Sequence, residues 1–279
     1  MHVQPSIVTT PAVRPPREAY VGSAARPPRI SFLVAAIGGA WIIAVAAEAT
    51  GQGSLLHHHA LIEGGPPLWV ALALFLVAWQ VMIVAMMLPA SLPAIRAFAA
   101  VSRRVRRPGL AMASFLGAYA VVWALFGQLA FMGDVVLHHL VDAAPWLGTR
   151  PWLIEGGVLG LAGVYQFAPN KRRAREACCN RVALAATIRV PASDAFRRGL
   201  EHGFDCLGSA WALMLVMFAA GFANLWWMVA LTGVMSYETM GRHGQRAALV
   251  AGVVLVLLAL VVASSGSGAM SPMAGLMWR

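Results

Sequence analysis

Apolar runs long enough to cross hydrocarbon recur along this chain, and they limit its fold more than any motif does. From about Ile30 to Ala49, Leu68 to Leu88 and Leu110 to Gly133 the only charge is Glu48, and a helix of ~20 such residues spans a bilayer core. Further runs extend from about Trp152 to Ala168, Phe204 to Gly221, Asn224 to Tyr237 and Ala247 to Ala263. In lipid a segment must pair its own backbone N–H and C=O groups, so these runs predict helices. Alternating ten-residue strands, the mark of an outer-membrane barrel, are absent from the sequence. With 59% hydrophobic and 11% charged residues, a water-soluble globule could not cover such a core. The expectation is an all-α, polytopic transmembrane bundle of about seven spans, its N-terminus inside and its C-terminus outside.

Charge distribution sets that orientation. Placed on these spans, all but two of the 21 Lys and Arg fall on one side, the exceptions being Arg150 and Arg279. Basic residues concentrate on the cytoplasmic face, so the formal charge of +10 reports topology and contact with the lipid bilayer. No aromatic-interleaved basic patch argues for nucleic acid. The expected location is a membrane whose cytoplasmic face carries these basic residues.

Three regions follow. Residues 1–29 hold six of the 16 prolines and four arginines and read as a disordered cytoplasmic tail. Residues 30–265 form the membrane domain, and residues 266–279 an outer tail carrying Met270, Met273 and Met277. The first apolar run lacks a small-residue cleavage site, so it is expected to stay attached as a span. Pro89 and Pro93 are expected to end the second span, with Arg96, Arg103, Arg104, Arg106 and Arg107 in the loop beyond. A basic loop around Lys171, Arg172, Arg173, Arg175 and Arg181 should join the fourth and fifth spans. A tight turn near Gly221 and Asn224 should join the fifth and sixth. Gly156 and Gly160 form a small-xxx-small pair that lets helices approach closely.

Phosphate loops, nucleophile elbows, paired His-Glu zinc motifs and dinucleotide fingerprints are missing from the sequence, and a non-enzyme is expected. The sharper signal is soft ligands, because thiolate, thioether and imidazole suit copper(I). His202, Cys206 and Met217 share one helical stripe with Met214 further round, yet His202 and Met217 would stand about 22 Å apart along the axis. Met82 and Met86 lie four apart with Met87 beside them, as a ligand pair or as flexible packing. Outside, His57 to His59 and the series Asp134, His138, Asp142 offer a second cluster or a plain solvated surface. Cys178 and Cys179 face a reducing compartment, where no disulfide is expected, and their arginine neighbours favour thiolate.

A further set of residues has a family likeness. Met82, Met86-Met87-Leu88-Pro89 and Pro93 are followed by Tyr119 and Trp123, then by Gly156-Gly157, Ala162-Gly163, Tyr165-Gln166, Pro169 and Lys171. Cys178, Gly199, His202-Gly203, Cys206-Leu207-Gly208, Trp211, Met214, Gly221, Asn224, Trp227 and Glu238 complete it. In this order, over about residues 68–240, the chain resembles the bacterial integral-membrane proteins described as predicted metal-binding and copper-chaperone-like. The resemblance implies copper handling, with Cys206, His202 and Cys178 as ligands and Met82, Met86 and Met214 as secondary ones; Cys179, beside Cys178, is a local substitute for a missing thiol. It also implies a cysteine where this chain has Ala174 and a cysteine pair where it has Ser209-Ala210. The expected function is delivery of a copper ion to a copper-receiving protein. The alternative is a non-metal scaffold or subunit of a membrane complex, docked through its arginines and glycine-faced helices.

Overall fold

The computed structural model describes residues 31–50, 67–103, 105, 107–185, 194–220 and 224–265. The two tails, His57 to His59, Arg104, Arg106 and the turn at Gly221 lie outside the described residues, and of Cys179 only the backbone is described. Among the described residues every regular element is a helix: α1 (Ser31–Ala49), α2 (Leu68–Ser102), α3 (Pro108–Ala143), the single turn α4 (Pro145–Gly148), α5 (Pro151–Tyr165), α6 (Pro169–Ala185), α7 (Asp194–Ala220), α8 (Leu225–Met240) and α9 (Gly244–Ser265). Each predicted apolar run lies on a helix. Of these helices, α1, α2, α3 and α9 are long and apolar enough to cross a membrane. α2 and α3, with 35 and 36 residues, are each about 50 Å long, well beyond a hydrocarbon core of about 30 Å.

Two expectations are corrected. Pro89 and Pro93 do not end a helix, because α2 runs through both to Ser102 and carries Arg96 within it. A proline has no N–H, so Pro89 strips the Ala85 carbonyl of its helical donor. The indole of Trp41 on α1 replaces it, donating to Ala85 O at 3.1 Å, as a neighbouring helix does for a proline in an apolar bundle. The basic segment beginning at Lys171 is likewise a helix, α6, and not a loop. Its face is read at i, i+3, i+4 and i+7: Lys171 and Cys178 are buried, Ala174 and Arg175 partly so, and Arg172, Arg173 and Glu176 are exposed.

α3 and α7 make the most extensive contact in the bundle, followed by α5 with α9 and α6 with α7. Glycines permit both of the closest approaches. A Cβ at Gly199 would stand 2.3 Å from the Phe115 carbonyl oxygen, and one at Gly203 2.9 Å from Val122 Cγ2. Between α5 and α9, a Cβ at either Gly163 or Gly252 would stand 3.0 Å from the other's carbonyl oxygen, while Gly156 and Gly160 face Ala259. α2 joins α3 by two side-chain bonds to carbonyls, Trp79 Nε1 to Trp123 O at 2.8 Å and Gln80 Nε2 to Ala120 O at 3.0 Å. Asn224 caps α8, its side chain accepting from the Trp227 N–H at 3.3 Å.

The proline clamp is testable by a double-mutant cycle. Trp41→Phe strands the Ala85 carbonyl and should cost about 1–3 kcal/mol in unfolding measured in detergent. In a Pro89→Ala background, where residue 89 supplies its own N–H, the same change should cost much less. An equal loss in both backgrounds would show that the indole contributes packing alone.

Candidate metal centre

α6 packs on α7 and α2, and it brings Cys178 to His202. The Cys178 sulfur is 3.7 Å from His202 Nδ1, with Cys178 7% and His202 3% exposed. His202 is held on α7 by two rings of α3 that stack on its imidazole: Phe115 at 5.8 Å and Tyr119 at 5.5 Å between centroids. Phe98 of α2 stacks in turn on Phe115 at 4.4 Å. Aromatic stacking in a dry environment fixes the ring plane and so the direction of its nitrogens. With metal–imidazole and metal–thiolate bonds of about 2.0 and 2.3 Å, one ion can touch both Nδ1 and Sγ without either helix moving.

Cys206, one turn beyond His202 on α7, has different neighbours. Its sulfur lies 3.3 Å from Tyr119 Oη and 3.8 Å from Ser91 Oγ, and the Ser91 hydroxyl donates to Tyr119 Oη at 3.1 Å. Cys178 and Cys206 are in no disulfide. Among the described residues no three His, Cys, Asp or Glu side chains converge on one point. The structure thus gives a Cys178–His202 pair and a separate Cys206 pocket.

Met82, Met86 and Met214 are buried in the apolar core that also contains Cys206, together with Met87, Met217, Met228 and Met235. They face the bundle interior, while the polar atoms beside the Cys206 sulfur are hydroxyls. The three positions at which the resemblance implies cysteine also face inward. Ala174 meets α7 at Gly208, where an added Cβ would stand 3.1 Å from the Ala174 methyl. Ser209 and Ala210 are both buried, and the Ser209 hydroxyl donates back to Cys206 O at 2.8 Å. At the far end of α3, His138 Nδ1 is 2.9 Å from Asp134 O and 3.6 Å from the Asp134 carboxylate.

Sequence reasoning did not single out Ser91 or Phe115, and it placed Lys171 in the basic loop and in the family likeness without assigning it a partner. Lys171 is 1% exposed. It forms a 2.7 Å ion pair with Glu238 at the end of α8 and donates to Gln166. Arg175 reaches the Glu238 carbonyl at 3.3 Å and Gln245 of α9. Burial pushes the Lys171 ammonium below its ordinary value, against the upward pull of Glu238. Burial likewise pushes the Glu238 carboxyl up, against Lys171 and Arg175. This pair fastens the first turn of α6 to α8, two helical turns from Cys178. The available signal was its identity, since it is the chain's only lysine among twenty arginines and a compact ammonium fits where a planar guanidinium does not.

Removing one partner of a buried pair leaves the other charge uncompensated, whereas replacing both is far milder. Lys171→Met should therefore cost about 3–5 kcal/mol in thermal or denaturant unfolding, and Lys171→Met with Glu238→Gln should recover most of it. Equal losses in the single and double variants would place the pair's role elsewhere.

No curated protein and no solved structure matches the chain. The sequence profile of one family does: PpoB2, described as copper chaperone, matches residues 76–262. That interval begins within α2 and contains Ser91, Tyr119, Lys171, Cys178, His202, Cys206 and Glu238, leaving residues 1–75 and 263–279 outside. With two thirds of its length so matched, this chain belongs to the PpoB2 copper chaperone family.

Proposed function

We propose that this chain is a multi-pass protein of a bacterial inner membrane that holds copper(I) as cargo and passes it to a partner protein, catalysing no reaction. The observation that carries the reading is the buried Cys178–His202 pair, a soft sulfur and an imidazole nitrogen 3.7 Å apart. Those donor types select copper(I) over harder ions. Two protein donors leave the ion's remaining positions open, unlike the closed sets of structural metal sites. An incoming sulfur from a recipient can occupy them and take the ion away. At Ala174, Ser209 and Ala210 this chain lacks the additional thiols that the family resemblance implies. In this arrangement α1, α2, α3, α5, α7, α8 and α9 cross the membrane, the N-terminus lies inside, and the basic face of α6 rests at the cytoplasmic headgroups.

The test is a metal count. Expressed in copper-supplemented cells and purified in detergent under reducing conditions, the protein should carry copper(I). Cys178→Ser and His202→Ala should each lose most of it, while Met82→Leu should retain it. Wild-type protein that emerges with negligible copper, indistinguishable from the Cys178→Ser variant, would overturn the reading.

A further inference from the structure

α9 leans to one side of the bundle. It packs far more extensively on α5 than on α8, drawn in by Gly163 and Gly252, although a link of three residues, Gly241 to His243, joins it directly to α8. The two helices therefore part as they leave their junction, and a cavity of about 560 Å³ lies between them. Buried Leu213 of α7, Leu231 of α8 and Leu255 of α9 form its floor. Small residues line its walls, namely Gly233, Ala247 and Ala251, and a Cβ added at Gly233 would meet nothing within 4 Å. Val250 and Val254 also line it and are 63% and 48% exposed, so the cavity opens sideways, onto the surface that a bilayer covers.

Shape and charge select the occupant. From Arg246 to Leu258, both of which line the cavity, α9 rises about 18 Å, close to the depth of one leaflet of a hydrocarbon core of about 30 Å. Drawn out over that length, the cavity has a mean cross-section of about 30 Å², whereas a helix 10–12 Å across needs ~80 Å² or more. An extended hydrocarbon chain fits, and a helix of a second copy does not. The lining carries one guanidinium and one imidazole, those of Arg246 and His243, and both stand at the α8–α9 junction beside exposed Arg242. Glu238, the carboxylate of α8, is engaged by Lys171, and α9 contains no Asp or Glu. Among the described residues no carboxylate pairs with Arg246. A basic pocket between helices on the cytoplasmic side suits an anionic headgroup.

We propose that this cleft holds one anionic phospholipid of the cytoplasmic leaflet, an acyl chain lying between α8 and α9 and the phosphate at Arg246 and His243. Only the membrane placement of the preceding reading is needed, with the α8–α9 junction inside; copper is not. The headgroup end adjoins the place where Lys171 and Arg175 fasten α6 to α8 and α9.

Native mass spectrometry of the full-length protein, stripped of lipid in detergent and titrated with dioleoylphosphatidylglycerol or dioleoylphosphatidylcholine, tests the site. The two probes have the same chains, so any difference between them reports the headgroup. One copy of the anionic lipid should bind about fivefold more tightly than the zwitterionic one, the gain from one arginine at a lipid phosphate. Arg246→Gln should erase that preference and leave weak uptake of both lipids. Gly233→Leu, placed in open space and more favourable to a helix than glycine, should fill the cleft and abolish single-copy binding of both. Arg172→Gln, on the exposed side of α6, should change neither. Equal affinity for the two lipids in wild type, or a preference that survives Arg246→Gln or Gly233→Leu, overturns the proposal. A lipid-free dimer that Gly233→Leu dissolves would make a second copy the occupant and overturns it too. Copper counted on the same preparations separates the two readings. Negligible copper with an intact lipid preference removes the cargo and leaves the cleft, and the converse removes the cleft alone.

Discussion

Two glycines on α7 set the distance on which the chemistry of this protein depends. Gly199 and Gly203 let α7 lie against α3 so closely that a methyl group at either position would strike Phe115 or Val122. That approach brings Phe115 and Tyr119 within stacking distance of His202 and the Tyr119 hydroxyl within reach of Cys206. Without a hydrophobic drive between helices in lipid, close backbone contact of this kind is a main source of helix association. Here it is also what aligns a ring nitrogen with the sulfur on α6. The donor atoms are chosen by His202, Cys178 and Cys206, but their geometry is set by residues that have no side chain at all.

The polar groups inside the bundle are arranged in separate, locally matched sets. Lys171 and Glu238 hold the start of α6, the Ser91–Tyr119–Cys206 set joins α2, α3 and α7, and Cys178–His202 joins α6 to α7. The ion pair does not bring net stability cheaply, since burial opposes the charge of both partners. Its effect is to specify where α6 lies, because the uncompensated alternatives are worse. Fixing that helix fixes the position of Cys178, which would otherwise sit on a charged, solvent-facing segment.

How much of this was legible depended on whether the deciding contact was local. The helices on the apolar runs were legible because lipid-compatible length and composition are properties of the run itself. Pro89 was misread because its rescue comes from Trp41, 44 residues before Ala85, and no local rule reports such a partner. The helix at α6 was misread as a loop because its charges hid a buried face of Lys171 and Cys178, seven apart, which carries the helical period with one cation and one thiol. His202, Cys178 and Cys206 were legible as soft donors by type and family likeness. Their division into a pair and a separate pocket was not, because His202 and Cys206 share a face of one helix and only the neighbours on α3 and α6 tell them apart. Tyr119 had been visible solely as a position shared with the family.

The bond from Trp41 to the Ala85 carbonyl bears on biogenesis. α1 is the least buried of the long helices, and the family match begins only after it. During synthesis α1 leaves the ribosome before Ala85 does, so this contact does not yet exist when α1 emerges. The vacant carbonyl behind Pro89 is in turn a docking mark that exists only once α2 has formed. A contact made by α1 thus depends on a proline that lies in α2, whose own helix cannot satisfy the carbonyl behind it.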